Sequence, residues 1–553
     1  MASPRLRATS LVEIAAVLVV AVGMGGFLWR IGGQVAGTDT LLYLDVALQR
    51  QASTYILNRY VHVFLLSLFS ALAATPLAGM RLYSGIIGGL CVALVYVCGR
   101  FLRSTSGPCN GVLAVASLLS VVTVLDLFTG PQVDTTAMMM GLIFTAAYAF
   151  SARSQHRRRV LIALLGAILV LSFKTKETSL AAVIVLPGLG MEREAPFGWR
   201  KLWRNLGYLG MGMLGGLTAI AVANALILGD PLFGLRPSEY LELSKIAQGA
   251  FVLLPAPGNW FARYVFPAAG TIFVMYLISG FVAKDRGQES IRLLWLLPLA
   301  QIVFLTLTMI WSTWGVAPRY FGFSLGVLCA LAGQLVWPLS LRRPFEKTIL
   351  AYLALPAAVL GVFGLLGIFL RPVVAFPTYY DSVLGPIALA ILLGLLFIEG
   401  SGSPRIQPAL LLCALVLTVY PARVVVGGAE KDNPPNDRFE PLIVFQPQIE
   451  SASMVPAFVS LATAERLQVK DRNEVSAIFN IFFDARTNRT DFVMSGADRT
   501  LRRSMAERAY RLVWLTGEEW DALRSSQEDG PGWIDAYDVL LEPLGRTVLL
   551  RLR

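Results

Sequence analysis

Thirteen long apolar segments constrain what this chain can fold into more than any motif does. A helix crosses the hydrocarbon core of a bilayer with about 20 consecutive apolar residues, and it satisfies its own backbone hydrogen bonds there. Because 56% of the 553 residues are hydrophobic and only 15% are charged, the chain is predicted to be a polytopic all-α membrane protein. The segments are 10–29, 80–101, 109–128, 133–151, 159–174, 177–190, 206–228, 265–283, 291–311, 320–339, 348–370, 383–399 and 407–427.

The charged residues between these segments predict how the chain crosses the membrane. The loops between these segments alternate along the chain, and nearly all loops of one set are rich in Lys and Arg, as in SARSQHRRR at 151–159 and LRRPFEK at 341–347. Since basic loops stay on the cytoplasmic side, the N-terminus is predicted to be cytoplasmic, and an odd number of spans then places the C-terminus outside. The net charge of +11 is therefore interpreted as a topology signal and not as nucleic-acid binding, although attraction of an anionic lipid phosphate is compatible with it.

A linker rich in Gly, Pro and Asp follows the last apolar segment and marks a domain boundary. Residues 1–427 are predicted to form the membrane domain, with a long first outer loop at 30–79, and residues 428–553 a small extracytoplasmic α/β domain. This C-terminal part carries 16 Lys and Arg against 20 Asp and Glu, so its charge balance differs from that of the membrane part. Strands are predicted at 511–515, 537–541 and 547–552, and Thr516 is predicted to cap a helix with an acidic first turn.

The cysteine and histidine contents exclude several kinds of site. All five cysteines lie in or beside apolar segments, and the chain has only two histidines. This usage fits neither a disulfide framework nor a zinc site, so no catalytic metal and no cofactor are predicted. The chemistry is expected instead from ionisable residues at the outer ends of spans, where a charge is costly and usually functional.

The first outer loop contains the polar stretch GTDTLLYLDVALQRQASTYILNRYVH at 37–62. Asp39 and Asp45 are six residues apart, about 600° around an α-helix, so they face different directions and form no carboxylate dyad. Asp39 either caps the following helix or serves as a catalytic carboxylate, and Asp45 is expected on the helix surface or in a supporting role. Arg59 and His62 are the candidate substrate contacts of this stretch.

Five further ionisable residues lie at the outer ends of later segments. Asp134 opens a span and could also be only a helix cap. Lys174 and Lys176 lie on the outer side, where the positive-inside rule does not explain them, and two ammonium groups there suit a lipid-linked phosphate. An internal pair between Lys176 and Glu177 is the alternative. Arg319 could grip a phosphate with its guanidinium or extend to the headgroups.

In their order and sidedness these motifs resemble the GT-C superfamily of membrane glycosyltransferases, in the branch with the protein O-mannosyltransferases and the lipid A aminoarabinose transferase. The resemblance covers roughly residues 1–427 and implies a GT-C-like fold with about 13 transmembrane helices. The outward C-terminal domain is also similar to the aminoarabinose-transferase architecture. The motifs are Asp39 followed by Tyr43, Met80-Arg81-Leu82-Tyr83-Ser84, Gln132-Val133-Asp134, Lys176-Glu177 and Pro318-Arg319-Tyr320.

The resemblance implies transfer of a sugar from a polyprenyl-phosphate donor to a lipid, glycan or protein acceptor, with inversion, on the outer face of a bacterial inner membrane. Asp39 would be the general base that takes the hydroxyl proton of the acceptor. Lys174, Lys176 and Arg319 would bind the donor phosphate and stabilise charge on the leaving group. The other substrate-binding positions would be Tyr43, Arg59, His62, Asp134, Glu177 and Tyr320.

Two departures from the family pattern leave the acceptor and a dependence on a divalent ion open. Thr40 stands where many relatives have a second acidic residue, and the segment from Asn58 to His62 lacks a proline turn. A secondary transporter or flippase of a lipid-linked or anionic substrate is the main alternative. Transporters have ionisable groups at mid-span and paired repeats, which this sequence does not show. A catalytically inactive scaffold that presents the C-terminal domain is a third reading.

Overall fold

The computed structural model covers the whole chain and describes part of it in detail. The predicted spans at 348–370, 383–399 and 407–427, the domain boundary near 428, and nearly all of the span at 265–283 lie outside the described residues. The described residues are 17–26, 28–29, 38–49, 59–73, 76–102, 108–120, 127–128, 130–154, 157–191, 197–236, 239, 276, 289–311, 318–334, 457–466, 492–495, 512–525, 536–541 and 547–552.

Apolar helices dominate the described part of the chain up to residue 334. Three stretches of them, Ala78–Phe101, Val133–Arg153 and Trp199–Leu226, are long and apolar enough to cross a membrane. With the apolar composition, they make this an integral membrane protein. The helices are α1 (Val17–Gly26), α2 (Thr38–Gln49), α3 (Tyr60–Leu72), α4 (Pro76–Phe101), α5 (Pro108–Ser120), α6 (Val133–Arg153), α7 (Arg158–Phe173), α8 (Trp199–Leu228), α9 (Glu289–Arg292), α10 (Leu296–Trp311) and α11 (Gly322–Ala332), with 3-10 helices at Glu177–Gly190, Leu293–Trp295 and Pro318–Phe321.

The short predicted span at 177–190 is a 3-10 helix, Glu177–Gly190, with Pro187 inside it. A 3-10 helix rises about 2.0 Å per residue, so 14 residues extend about 28 Å, whereas an α-helix of that length would extend about 21 Å. The hydrocarbon core is about 30 Å thick. The segment therefore reaches the length of a span although it has too few residues for an α-helical one.

Helices α7 and α8 lie side by side with their backbones in contact. A Cβ atom added at Gly212 would lie 1.7 Å from the carbonyl oxygen of Ala163, and one added at Gly216 would lie 3.2 Å from the Cα of Ala167. Small residues at such positions let two helices approach closely. Since 212 and 216 meet 163 and 167 in the same order, the two helices run parallel.

The chain divides into two compact units. The first contains the described residues of α1, residues 59–62 and the described residues from 83 to 334; the second contains α2, residues 63–82 where described, and the C-terminal sheet. Asp45 lies in the second unit with 1% of its surface exposed, so its expected place on the helix surface is wrong. The sequence of α2 alone does not show that the face with Asp45 is covered by other parts of the protein.

The described residues from 457 to 552 form a mixed sheet of strand order β2-β1-β3-β5-β4. Strands β1 to β3 pair in parallel, and β5 lies antiparallel between β3 and β4. The elements are β1 (Ala457–Ser460), α12 (Leu461–Arg466), β2 (Phe492–Ser495), β3 (Leu512–Thr516), α13 (Gly517–Ser525), β4 (Tyr537–Leu541) and β5 (Thr547–Leu552).

Strands β4 and β5 have the predicted bounds, and β3 starts and ends one residue later than predicted. The predicted cap of α13 is also confirmed. The Glu519 amide donates to the Thr516 hydroxyl at 3.2 Å, and the Thr516 amide donates to the Glu519 carboxylate at 2.8 Å. This reciprocal pair is a capping box, which satisfies two amides at the start of the helix. Phe458, Trp520 and Leu550 pack in the core beneath it.

Candidate functional site

The turn between α7 and the Glu177–Gly190 helix holds two buried lysines. Lys174 is 3% exposed and Lys176 is 2% exposed. A buried ammonium group is strongly destabilising unless it is paired and hydrogen-bonded. Lys176 Nζ donates to Oδ1 of Asp134, and it also lies 4.2 Å from the centre of the Tyr320 ring. The alternative that Lys176 pairs with Glu177 is therefore wrong, because its carboxylate partner is 42 residues away in the chain.

Asp134 lies in the first turn of α6, and the residue at the N-cap is Gln132, which makes no side-chain capping bond. Its carboxylate is 2% exposed and accepts from Lys176. The start of α11 packs directly on it, since a Cβ atom at Gly322 would lie 2.8 Å from the Asp134 carbonyl oxygen. Asp134 is thus a member of a buried ion pair, and the alternative that it is only the helix cap is wrong.

A second ion pair joins the same turn to the residue that precedes α3. Arg59 Nη1 donates to Glu177 Oε2 at 2.7 Å, and Nη2 donates to Oε1 at 3.4 Å. Beside this pair, the Tyr60 amide donates to the Lys174 carbonyl at 2.8 Å. The Arg59 guanidinium stabilises the ionised form of the Glu177 carboxylate. The carboxylate is therefore charged at neutral pH.

Burial lowers the pKa of both lysines. It brings the pKa of Lys174 to about 8, against the opposing effect of the Glu239 carboxylate. The Lys174 ammonium donates to the carbonyl oxygen of Gly234. Burial also lowers the pKa of Lys176, while the Asp134 carboxylate works in the opposite direction. With a pKa near 8, Lys174 remains mostly protonated at neutral pH and can serve as a cation for a phosphate.

The loop after α8 is held against this turn by its carbonyl groups. The Phe233 carbonyl accepts from the Asn224 amide at 2.8 Å and from the Tyr60 hydroxyl at 3.3 Å. A two-point pair between Arg236 and Asp230, at 2.8 Å for both contacts, closes the loop on itself. The loop thereby presents the Gly234 carbonyl to Lys174.

A buried hydrogen-bond network at His62 connects α3, α4 and α6. His62 Nδ1 lies 3.1 Å from the Tyr83 hydroxyl and 3.0 Å from the Thr136 hydroxyl. The Tyr83 hydroxyl donates to the Gln132 carbonyl at 3.2 Å. Gln132 and Thr136 flank Asp134 on either side, so this network fixes the backbone that carries the carboxylate. Sequence reasoning did not select Thr136, although Tyr83 stood in one of the quoted motifs.

The structure brings seven of the ten predicted site residues into one unit around the 174–177 turn. Tyr43 belongs to the second unit and is 9% exposed. The side chains of Asp39 and Arg319 lie outside the described residues, although Asp39 falls in the first turn of α2. Among the described residues, no group of three His, Cys, Asp or Glu side chains is arranged to hold a metal ion. The seven are Arg59, His62, Asp134, Lys174, Lys176, Glu177 and Tyr320.

No protein-family model and no curated protein matches this chain. Among solved structures it is similar to ArnT from Cupriavidus metallidurans in the apo state, with 14% identity, a TM-score of 0.56, and coverage of 99% of this chain and 98% of that one. The same ArnT bound to undecaprenyl phosphate matches with 13% identity, a TM-score of 0.56 and 98% coverage of both chains. Arabinosyltransferase EmbB from Mycobacterium smegmatis matches with 16% identity over 77% of this chain and 41% of that one, at a TM-score of 0.46.

Proposed function

We propose that this chain, which has the fold of ArnT, a glycosyltransferase of the GT-C superfamily, transfers a sugar from a polyprenyl-phosphate donor. The observation that carries the proposal is the pair of buried lysines in one short turn, together with Arg59, which pairs with Glu177 of that turn. Such a cluster suits a phosphate that approaches from the membrane. The likeness to ArnT bound to undecaprenyl phosphate extends over nearly the whole of both chains and supports a lipid-linked phosphate.

In the proposed reaction, the acceptor hydroxyl oxygen attacks the anomeric carbon of the sugar. The bond from that carbon to the phosphate oxygen breaks, and the polyprenyl phosphate leaves with the electron pair. Asp39 takes the hydroxyl proton, which makes the alcohol a better nucleophile, and attack opposite the leaving group inverts the anomeric centre. Lys174, Lys176 and Arg319 stabilise the negative charge that develops on the phosphate.

The other residues of the cluster would hold these groups in place. Tyr320 lies against the Lys176 ammonium, and Glu177 holds Arg59 at the turn. His62 acts through the backbone on either side of Asp134 and is therefore proposed as a positioning residue. Tyr43 is proposed to contact substrate from the first outer loop. We also propose that the site faces outward in a bacterial inner membrane, with the N-terminus in the cytoplasm.

Purified protein provides the direct test. Mass spectrometry of co-purified lipid should reveal a polyprenyl phosphate, and added undecaprenyl phosphate should bind in a saturable way. Asp39→Asn should abolish sugar transfer while it leaves lipid binding intact, and the matched control Asp538→Asn on the C-terminal sheet should keep both. A fully active Asp39→Asn would refute the mechanism. Movement of the lipid from one leaflet of a proteoliposome membrane to the other, without sugar transfer, would favour the alternative that the protein is a flippase.

A further inference from the structure

An exposed patch of aromatic and basic side chains lies at the starts of α7 and α8, away from the site. Trp199 and Trp203 are 66% and 67% exposed, and Phe197 stacks edge-on against Trp199 with their ring centres 5.1 Å apart. Four exposed arginines accompany these rings. We call this set the arginine–tryptophan patch: Arg157, Arg159, Phe197, Trp199, Arg200, Trp203 and Arg204.

The parallel packing of the two helices brings both halves of the patch to the same end. Because Ala163 lies against Gly212, residue 158 of α7 is level with residue 207 of α8. Arg159 accordingly lies 5.7 Å from the centre of the Tyr208 ring. The first eight residues of α8 therefore extend about 12 Å beyond the start of α7, and they carry the two tryptophans outward.

The composition of the patch identifies its partner. Residues 157–159 and 199–204 contain six Lys and Arg and no Asp or Glu. Tryptophan rings concentrate at the level of the headgroups, where the ring is in contact with the acyl region and the N–H reaches water. Basic side chains beside a membrane helix attract anionic headgroups. Tryptophan and basic residues lie next to each other at 199–204, at the exposed start of α8, and this combination fits a phospholipid surface.

The topology signal alone does not account for this arrangement. Basic loops require only charge, whereas here two large aromatic rings are held on an α-helix with most of their surface uncovered. We infer that the arginine–tryptophan patch binds the headgroups of anionic phospholipids in the cytoplasmic leaflet. It thereby anchors the end of α7 opposite to Lys174. The inference rests on the membrane embedding of the chain and on the proposed orientation, and not on the proposed reaction.

Native mass spectrometry of the full chain tests this surface. The protein is released from micelles that contain equal amounts of phosphatidylglycerol and phosphatidylcholine. The number of molecules of each lipid that stay bound to the protein is then compared. Each basic residue near an anionic surface contributes about fivefold to binding. Arg200→Gln/Arg204→Gln should therefore reduce the preference for phosphatidylglycerol on the order of 25-fold, and the preference of the unmodified chain should fall with added salt.

Three controls keep the test decisive. Arg524→Gln removes an exposed arginine of the C-terminal domain and should leave the preference unchanged, and Arg200→Lys/Arg204→Lys should retain it because the charge remains. Trp199→Ser/Trp203→Ser should reduce retention of both lipids. The inference is overturned if Arg200→Gln/Arg204→Gln keeps its preference for phosphatidylglycerol, or if the Arg524→Gln control loses as much. It is also overturned if the patch retains an acidic protein and no lipid.

Discussion

The pair between Lys176 and Asp134 is the strongest single test of the site geometry. Lys176→Met keeps the length of the side chain and removes its charge. Both side chains are at most 3% exposed, so solvent screens their interaction little. Loss of one partner of a buried ion pair costs about 3–5 kcal/mol, because the other charge stays buried without its counter-ion. We expect Lys176→Met to destabilise the protein by this amount.

The double variant separates the pair from the packing. Replacing both members of a buried pair by apolar residues is often neutral or stabilising, so Lys176→Met/Asp134→Leu should recover most of the loss. The difference between the double variant and the sum of the single ones measures the coupling. Unfolding by SDS in mixed micelles, followed by circular dichroism, gives the free energies. Lys201→Met is the control and should change stability by less than about 0.5 kcal/mol. If Lys176→Met costs less than about 1 kcal/mol, or if the double variant is no better, the pair does not exist as described.

Three further changes test the surroundings of this pair. Burial lowers the pKa of Lys174 from 10.5 to about 8, so the unfolded chain binds more protons between these values and stability rises as the pH goes from 8 to 10; Lys174→Met should abolish that rise in pH-dependent unfolding. Gly322→Ala should lower both the unfolding free energy and sugar transfer, because its Cβ would lie 2.8 Å from the Asp134 carbonyl oxygen; unchanged transfer by Gly322→Ala would contradict the contact. Tyr83→Phe should lower the free energy of unfolding by about 1–3 kcal/mol, since it leaves buried hydrogen-bonding groups unsatisfied. Unfolding by SDS in mixed micelles measures this loss.

The parts of the fold that depend on neighbouring residues were predictable from the sequence. The capping box of Thr516 and Glu519 forms within four residues, and strands β4 and β5 are short, mainly apolar runs separated by the turn-forming sequence EPLGR. The burial of Asp45 was not predictable, because it depends on what covers one face of a short helix. The 3-10 form of Glu177–Gly190 was missed as well, since its apolar run resembles that of an α-helix.

The candidate site shows the same division between local and distant information. The types of residue follow from the charged positions at the ends of apolar segments, and seven of the predicted residues do lie around one turn. Their pairing does not follow, because Lys176 and Glu177 are neighbours and yet pair with different segments, 42 and 118 residues away. No pattern within the turn distinguishes this arrangement from a pair between neighbours. The long-range pairs matter for the fold, because each ties a different segment to the turn: Asp134 ties α6, and Arg59 ties the start of α3.

The two lysines consequently differ in what an incoming phosphate must displace. Lys176 is bound to a buried carboxylate, and its transfer to a phosphate would leave Asp134 without that partner, which is costly. Lys174 donates to the neutral carbonyl of Gly234, and the Glu239 carboxylate that acts on it also accepts from the Gly234 and Arg236 amides. A doubly charged phosphate therefore competes for Lys174 more easily. We therefore expect Lys174→Met to weaken undecaprenyl phosphate binding more than Lys176→Met, and Asp134→Asn to strengthen it by releasing Lys176. Equilibrium binding to the three purified variants decides this order, with Arg524→Met on α13 of the C-terminal sheet as the control. Equal losses for both lysines would mean that the ion pair opens at no cost, which its burial argues against.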